Sequence, residues 1–358
     1  MKKKHLYATV ILLSFLAAGI QPAIAIDIPT NNSVGSWDPD ARIYTLTQDV
    51  AEGLNIVEGS LTLDGAGYTV TPGLDEGVDI DQGSGIIVKN LRVFEGGVGI
   101  SLRFCDNCTI SNNTLDKCQY GIWLAGSNDN LVTGNTADQS LNAGIWLQQN
   151  AGYNNIIGNT TRNSTNGYGI YAQDCTNNND LTNNTITDNE VGIGLFNCSN
   201  FSGSIAGNTI SSNIQTNDAY AILLSNSDNN NLRNNTLSGN YRGLRIKVGS
   251  DNNLIYNNNF INTVGLHASV TDSTGNVFNL GEPIGGNYWD DYGGTGVYKN
   301  DYGVLDEYPW ADQDGWVTNE PPAAHAGPDQ IVECATKHQR VHKSHWMVQA
   351  HPTRIVIH

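Results

Sequence analysis

From about residue 99 onward, apolar residues alternate with other residues in a short phrase that recurs along the chain. The phrase is Gly-Ile-x-Leu or a close variant, and its seven copies start at residues 99, 121, 144, 169, 192, 221 and 243. Because side chains on a strand point alternately to its two faces, the Ile and Leu of each copy face one side and the x residue faces the other. The pattern predicts a series of short, half-buried strands.

A second phrase follows each copy of the first, with an apolar residue three positions before an asparagine and usually another apolar residue two positions after it. Its asparagines are Asn113, Asn135, Asn159, Asn184, Asn208, Asn235 and Asn258. Asparagine tolerates the left-handed backbone conformation and bonds neighbouring backbone groups, so it suits tight bends between strands. Asparagines stacked from successive repeats can also bond one another.

The two phrases together predict the fold. One short strand buries little, but winding the chain so that each coil pairs with the next, ~4.8 Å away, stacks like residues into one core. Leucine-rich repeats would need helix-forming stretches where this chain has runs such as residues 227–231, Ser-Asn-Asp-Asn-Asn. Propeller blades would need a longer period. We therefore predict an all-β fold, a single-stranded right-handed parallel β-helix, which is a solenoid.

The first 25 residues do not fit this pattern. Three lysines at 2–4 precede an apolar run over 6–20, and a small-x-small triplet follows at 23–25. This arrangement predicts a signal peptide over 1–25 and export to the periplasm, the cell surface or the medium. An uncleaved membrane anchor is the alternative reading, although the run is short for a spanning helix. No later segment is expected to span a membrane.

The net charge of the chain excludes one class of binding partner. The chain carries 18 Lys and Arg against 35 Asp and Glu, a formal net charge of -17. A phosphate-binding surface needs clustered cations, so nucleic acid is not an expected partner.

Further motifs resemble a known family. Leu-Asp-Gly-Ala-Gly-Tyr at 63–68, the two repeated phrases and Gly-Asn-Tyr-Trp-Asp-Asp-Tyr at 286–292 resemble NosD-like β-helix surface proteins, whose repeats are carbohydrate-binding and sugar-hydrolase repeats. The resemblance covers roughly residues 40–312. Because a solenoid must cover its open ends, we expect an N-terminal cap over 26–50, β-helix repeats over 51–285 and a C-terminal capping block over 286–312. The family name is linked to copper delivery, a role that one histidine in the repeats, His267, supports little.

The C-terminal residues change character. Residues 313–334 contain Pro-Pro-Ala-Ala-His-Ala-Gly-Pro-Asp-Gln, which resembles the opening of a polycystic-kidney-disease (PKD) domain, without its expected continuation. Residues 335–358 form a basic, histidine-rich tail. The codons of His345, Trp346 and Met347, read across codon boundaries, encode the missing Leu-Asp-Gly. We therefore hypothesise that a frameshift truncates a longer surface protein here.

The x position of the first phrase supplies the candidate binding site. It holds Trp123, Trp146 and Tyr171 in successive copies, and Phe196 lies near the end of this series. These aromatic residues are predicted to form an exposed ladder, with rungs about one sugar unit apart, that binds a glycan. The alternative is that the stacked rings only hold neighbouring coils together.

The spacing of the cysteines allows more than one interpretation. Cys175 and Cys198 each lie six residues after the first glycine of their phrase, so they should stack in adjacent coils, either as a disulfide or as buried thiols. Cys105 and Cys108, with Cys118 nearby, lack an evident fourth zinc ligand, which favours a local disulfide.

Catalysis and metal binding are the remaining candidates. The Gly-His-Gly and Asp-Pro-His motifs that we associate with β-helix hydrolases, lyases and epimerases are absent, so a non-catalytic glycan-binding or structural role is preferred over a polysaccharide-acting enzyme. Carboxylates such as Asp79 and Asp81 still leave enzymatic chemistry open. A calcium site is predicted from four aspartates of the capping region, Asp290, Asp291, Asp301 and Asp306.

Overall fold

The structure is a computed structural model that describes residues 25–175, 178–201 and 204–318. Residues 1–24 of the predicted signal peptide, most of the PKD-like segment and the whole 335–358 tail lie outside the described residues. Among the described residues, no helix is long and apolar enough to cross a bilayer.

Thirty-four strands within the described residues, numbered in chain order, build three long sheets and one short strand pair. The first sheet contains β1 (Ile26–Ile28), β4 (Leu54–Ile56), β7 (Glu76–Asp81), β10 (Val98–Arg103), β13 (Tyr120–Ala125), β16 (Ala143–Gln148), β19 (Tyr168–Gln173), β22 (Val191–Phe196), β25 (Tyr220–Ser225), β28 (Arg242–Lys247) and β31 (Ala268–Thr271).

The second sheet contains β2 (Gly35–Asp38), β3 (Ile43–Leu46), β5 (Thr62–Asp64), β8 (Ile87–Lys89), β11 (Thr109–Ser111), β14 (Leu131–Thr133), β17 (Asn155–Ile157), β20 (Asp180–Thr182), β23 (Ser204–Ala206), β26 (Asn231–Arg233) and β29 (Leu254–Tyr256). The third contains β6 (Thr69–Val70), β9 (Arg92–Phe94), β12 (Thr114–Asp116), β15 (Thr136–Asp138), β18 (Thr160–Arg162), β21 (Thr185–Thr187), β24 (Thr209–Ser211), β27 (Thr236–Ser238), β30 (Asn259–Ile261) and β32 (Tyr288–Trp289).

Strands β33 (Tyr298–Lys299) and β34 (Leu305–Asp306) form an antiparallel pair, and a short 3-10 helix spans Gly315–Thr318. All pairing within the long sheets is parallel except that of β2 with β3. Each regular coil adds one strand to each long sheet, so the all-β parallel β-helix is confirmed.

The register of the first sheet stacks like residues along the axis. Ile100 pairs with Ile122, which pairs with Ile145, and the series continues through Ile170 and Ile193. All five are buried in the core. Burying an aliphatic side chain of this size stabilises the fold by roughly 1.5–3 kcal/mol, so the stacked columns are the main source of stability.

The asparagines of the second phrase form a continuous buried column, which we call the asparagine ladder. Its members are Asn113, Asn135, Asn159, Asn184, Asn208, Asn235, Asn258 and Asn287. Each Nδ2 donates to the Oδ1 of the next member at 2.9–3.1 Å. The left-handed bend falls on the residue before each phrase asparagine, which is always Asn or Gly.

The last rung of the asparagine ladder explains part of the Gly-Asn-Tyr-Trp block. Asn287 extends the ladder beyond the regular repeats, and its N–H donates to Asp306 Oδ2 at 2.7 Å. Trp289 stacks between the rings of Phe260 and Tyr298, each centroid 4.2 Å away. The aromatic rings of this segment therefore cover the core where the regular coils end.

Candidate functional site

The outward face of the first sheet carries the predicted ladder. Parallel pairing places Ser101, Trp123, Trp146 and Tyr171 in one column that runs along the axis of the solenoid. Asp79 precedes them in the same column, on β7. The Ile and Leu residues between them face the core, as the alternation predicts.

The three aromatic residues stack almost parallel. The ring centroids of Trp123 and Trp146 are 5.4 Å apart with an interplanar angle of 15°, and those of Trp146 and Tyr171 are 6.1 Å apart at 14°. Phe196 lies in the neighbouring column and meets Tyr171 edge-on, at 5.5 Å and 76°. The structure thus brings all four predicted residues onto one face, with Phe196 to one side of the stack.

Two tyrosines that the sequence analysis missed complete this surface. Tyr120 stacks on Trp146 at 4.6 Å, and Tyr168 stacks on Tyr171 at 4.5 Å. Strict alternation from Trp123 would turn residue 120 inward, but the alternation breaks at Gly121, which is buried together with Ile122. A Cβ at Gly121 would lie only 2.4 Å from the carbonyl oxygen of Gly144. The Tyr-Gly-Ile sequence directly before Trp123 and directly before Tyr171 is the sequence signal that could have identified these two tyrosines.

We define the aromatic ladder as Tyr120, Trp123, Trp146, Tyr168, Tyr171 and Phe196. It ends on β22, where Gly194 occupies the x position and the ring of Tyr168 lies across it. A Cβ at Gly194 would come within 2.6 Å of that ring. A side chain at residue 194 would therefore clash with the ring of Tyr168.

Some hydrogen-bonding groups of the aromatic ladder have a partner among the described residues and others do not. Among the described residues, the buried indole N–H groups of Trp123 and Trp146 have no hydrogen-bond partner. The Tyr171 hydroxyl donates to Gln173 Oε1 at 3.1 Å. Since buried donors are nearly always paired, two unpaired donors in adjacent rungs mark this face as unusual. The rings themselves are half-buried and not fully exposed as the sequence predicts, because each is covered in part by its neighbours in the stack.

An acidic cluster lies at the β7 end of the same face. Arg103 bonds Asp79 at 2.6 Å and lies 3.5 Å from Glu76, and Asp81 is exposed beside them. Desolvation by burial outweighs the nearby Arg103 guanidinium and raises the pKa of Asp79. The carboxyl group is therefore prepared to hold a proton at a higher pH than an ordinary aspartate.

A basic cluster lies at the opposite end, on β28. Arg242, Arg245 and Lys247 all project from the outward side of that strand. Arg242 Nη1 contacts the Tyr220 hydroxyl at 2.8 Å, whereas the buried Nε of Arg245 has no partner among the described residues. The face therefore runs from acidic, through aromatic, to basic.

The cysteines lie inside the core. Cys105, Cys108, Cys118, Cys175 and Cys198 are buried free thiols in this structure. Cys175 and Cys198 occupy successive coils, and the Cys175 N–H donates to Cys198 Sγ at 3.4 Å. Burial raises the pKa of the Cys118 thiol to about 11. The disulfide between Cys175 and Cys198 stays a prediction, as does a local one near Cys105.

The four aspartates of the predicted calcium site lie in different surroundings. Asp290 and Asp291 meet at His267. Asp301 is exposed in a turn. Asp306 is buried, where it accepts hydrogen bonds from the Asn287 N–H and the Trp289 indole, and desolvation raises its pKa.

These residues are a poor fit to copper. Cuprous ion prefers Cys, Met and His ligands. His267 is the one histidine within residues 25–318, both methionines lie outside that range, and the five described thiols are enclosed in the core. We therefore derive no copper chemistry from this site.

Comparison with known proteins identifies one family. A family model described as "Periplasmic copper-binding protein (NosD)" matches residues 68–215 and 197–294. No curated protein matches the chain.

Several solved structures are similar in fold. The periplasmic alginate epimerase AlgG is 15% identical, with 69% of this chain and 72% of that one covered and a TM-score of 0.42. An exopolygalacturonase from Thermotoga maritima is 10% identical, with 65% and 73% covered and a TM-score of 0.41. The catalytic domain of a GH87 alpha-1,3-glucanase is 14% identical, with 76% and 70% covered and a TM-score of 0.32. Similarity this distant carries no information on substrate or activity.

Proposed function

The chain belongs to the NosD family, and we propose that it is an exported protein that binds a glycan along the aromatic ladder without cleaving it. The observation that carries this proposal is the parallel stack of Trp123, Trp146 and Tyr171 on one outward face. Export is supported by the basic, apolar and small-residue segments within residues 1–25.

The geometry of the stack suits a sugar chain. Successive coils are ~4.8 Å apart, close to the length of one sugar unit. The ring faces lie against one another in the stack, so the outer edges of the rings form an apolar strip along the solenoid axis on which the apolar faces of sugar rings can pack. A glycan lying parallel to the solenoid axis would contact several rungs at once.

Charged residues at the two ends of this face favour a negatively charged ligand. Arg242 is paired with Asp218, so Arg245 and Lys247 are the cations of β28 that attract a carboxylate or sulfate group. At the other end, the exposed Asp81 carboxylate of β7 repels one. We therefore propose an anionic glycan whose charged groups lie towards β28.

A second candidate function is an enzyme acting on polysaccharide, as a lyase, hydrolase or epimerase. One observation favours it: Asp79, with its raised pKa, lies beside Arg103 in line with the aromatic ladder. A carboxyl group that holds its proton is suited to general acid catalysis. A glycoside hydrolase would also need two carboxylates at the separation that this reaction requires.

A glycan array probed with the purified chain and with a Trp123→Ala/Trp146→Ala variant tests the primary proposal. We expect binding to anionic glycans that the double variant loses while its melting temperature stays within a few degrees of the parent. The recovered glycans are then analysed by mass spectrometry. Intact glycans support binding without cleavage, and shortened or unsaturated products support the enzyme.

Loss of stability in the double variant, with no glycan bound by the parent, would mean that the aromatic ladder only holds coils together. In that case the protein is a structural spacer.

A further inference from the structure

A second site lies at the end of the solenoid where the regular coils meet the closing segment. His267 Nε2 is 2.7 Å from Asp290 Oδ1 and 3.4 Å from Asp291 Oδ1. One ligand-capable atom from each of these three residues lies within 4.8 Å of the other two. Within the described residues, this is the one group of three histidine, cysteine or carboxylate side chains that converge in this way.

The imidazole is buried and held in a fixed orientation. The His267 side chain is 7% exposed, and its ring packs near those of Phe260 and Trp289. Its Nδ1 lies 2.8 Å from Thr263 Oγ1. When Nδ1 donates its hydrogen to that hydroxyl, Nε2 presents a lone pair towards the two carboxylates.

Three acceptors that face one another repel unless a cation lies between them. A proton on Nε2 can satisfy the Asp290 oxygen at 2.7 Å, and the Asp291 oxygen at 3.4 Å is then left to solvent. A metal ion satisfies all three acceptors together.

The carboxylates are themselves positioned by their surroundings. The Asn262 N–H donates to Asp290 Oδ2, so the other oxygen of that carboxylate is left facing His267. The Tyr298 side chain lies beside Asp291. Partners of this kind orient metal ligands in known sites.

We propose that His267 Nε2 and one carboxylate oxygen each from Asp290 and Asp291 bind a divalent transition-metal ion with zinc-like ligand preferences. Calcium and magnesium favour sites made wholly of oxygen, and cuprous ion favours sulfur and nitrogen. One imidazole and two carboxylates form a ligand set that zinc accepts, with water in the fourth position. Asp291 is 59% exposed, so solvent reaches that position.

The ion would join two parts of the chain that are otherwise linked by packing and hydrogen bonds. His267 immediately precedes β31, the last strand of the first sheet, and Asp290 immediately follows β32, the last strand of the third sheet. Metal binding would therefore fasten the closing segment to the final coil. This inference does not depend on the proposed glycan site.

The test uses the full chain with the seven histidines outside the described residues replaced by asparagine, since a histidine-rich tail binds metals by itself. These are His5, His325, His338, His342, His345, His351 and His358. After treatment with a chelator and its removal, Zn²⁺ or Ca²⁺ is added, and the melting temperature and the metal affinity are measured. Co²⁺ is then added as a coloured substitute for Zn²⁺.

We expect Zn²⁺ to raise the melting temperature and Co²⁺ to give the visible absorption of a low-coordinate site. Asp291→Asn should weaken Zn²⁺ binding by about tenfold or more and remove the stabilisation. Because Asp291 is largely exposed, this variant should fold normally. His267→Gln supplies a second, buried test, and Asp301→Asn is the matched control that should behave like the parent.

Three results would overturn the proposal. They are stabilisation by Ca²⁺ alone, a Zn²⁺ response that Asp291→Asn leaves unchanged, and no response of the parent to Zn²⁺ or Co²⁺. The last result would leave His267 and Asp290 as a hydrogen-bonded pair.

Discussion

The asparagine ladder and the aromatic ladder are both columns of similar side chains stacked along the same axis, but they differ in how their polar groups are used. Inside, the Asn159 amide makes four hydrogen bonds at 2.9–3.1 Å, to Asn135, Val132 and Asn184. Outside, the indole N–H groups of Trp123 and Trp146 have no partner among the described residues. The two columns are therefore alike in stacking but differ in hydrogen-bond saturation.

The physical reason lies in the cost of an unpaired buried group. A buried donor without a partner costs roughly 1–3 kcal/mol, so a purely structural column is expected to satisfy every donor. The asparagine ladder does so. Within the residues that the structure describes, the aromatic ladder leaves two buried donors unpaired beneath its half-buried rings.

The largest effect is expected from a charge placed in the apolar core that both ladders depend on. Leu147 is fully buried on β16. Leu147→Asp buries an unpaired carboxylate, so the protein should lose cooperative unfolding in thermal denaturation followed by circular dichroism. An unchanged melting curve would mean that the inward and outward faces of this strand have been assigned the wrong way round.

Breaking the asparagine ladder should have the next largest effect. Asn159→Ala removes four hydrogen bonds and leaves buried partners unpaired, so the free energy of unfolding should fall by about 3 kcal/mol in urea denaturation. Asn166→Ala, in an exposed turn, is the control and should change it by less than about 0.5 kcal/mol. Equal effects at the two positions would contradict the structural role of the ladder.

A substitution in the aromatic ladder should weaken glycan affinity as well as lower stability. Trp146→Ala should lower stability by about 1–2 kcal/mol, since the ring is half-buried, but should weaken glycan affinity by about tenfold, or ~1.4 kcal/mol. Isothermal titration calorimetry with a glycan found on the array measures the affinity. Tyr153→Ala, an exposed aromatic residue outside this face, should leave affinity unchanged. If Trp146→Ala lowered stability strongly but left glycan affinity unchanged, the aromatic ladder would have only a structural role, like the asparagine ladder.

The smallest effect concerns pH and the acidic end of the aromatic face. The pKa of Asp79 is raised in the folded state, so the folded protein binds more protons than the unfolded chain above the ordinary aspartate value of 3.8. The stabilising contribution of the protonated carboxyl is therefore present at low pH and is lost as pH rises through the folded pKa. Urea midpoints measured from about pH 4 to pH 7 should show a slightly shallower decline in Asp79→Asn than in the parent. An identical pH profile would contradict this account.

The sequence by itself determined the architecture and most of the aromatic ladder. The spacing of Gly-Ile-x-Leu predicts which residues stack, because every coil repeats the same two-residue alternation and each coil contacts only its neighbours. Trp123, Trp146 and Tyr171 therefore occupy one column, and their geometry was predictable from their shared position in the repeat.

The tertiary structure alone decided the features that depart from the repeat. Tyr120 and Tyr168 face outward because the alternation breaks at the glycine after each of them, so it no longer gives the direction of the neighbouring side chain. Asp306 belongs to the core, although the sequence grouped it with Asp290. The meeting of His267 with Asp290 depends on how the closing segment folds back over the last coil. No period relates these distant residues, so only the path of the chain in three dimensions brings them together.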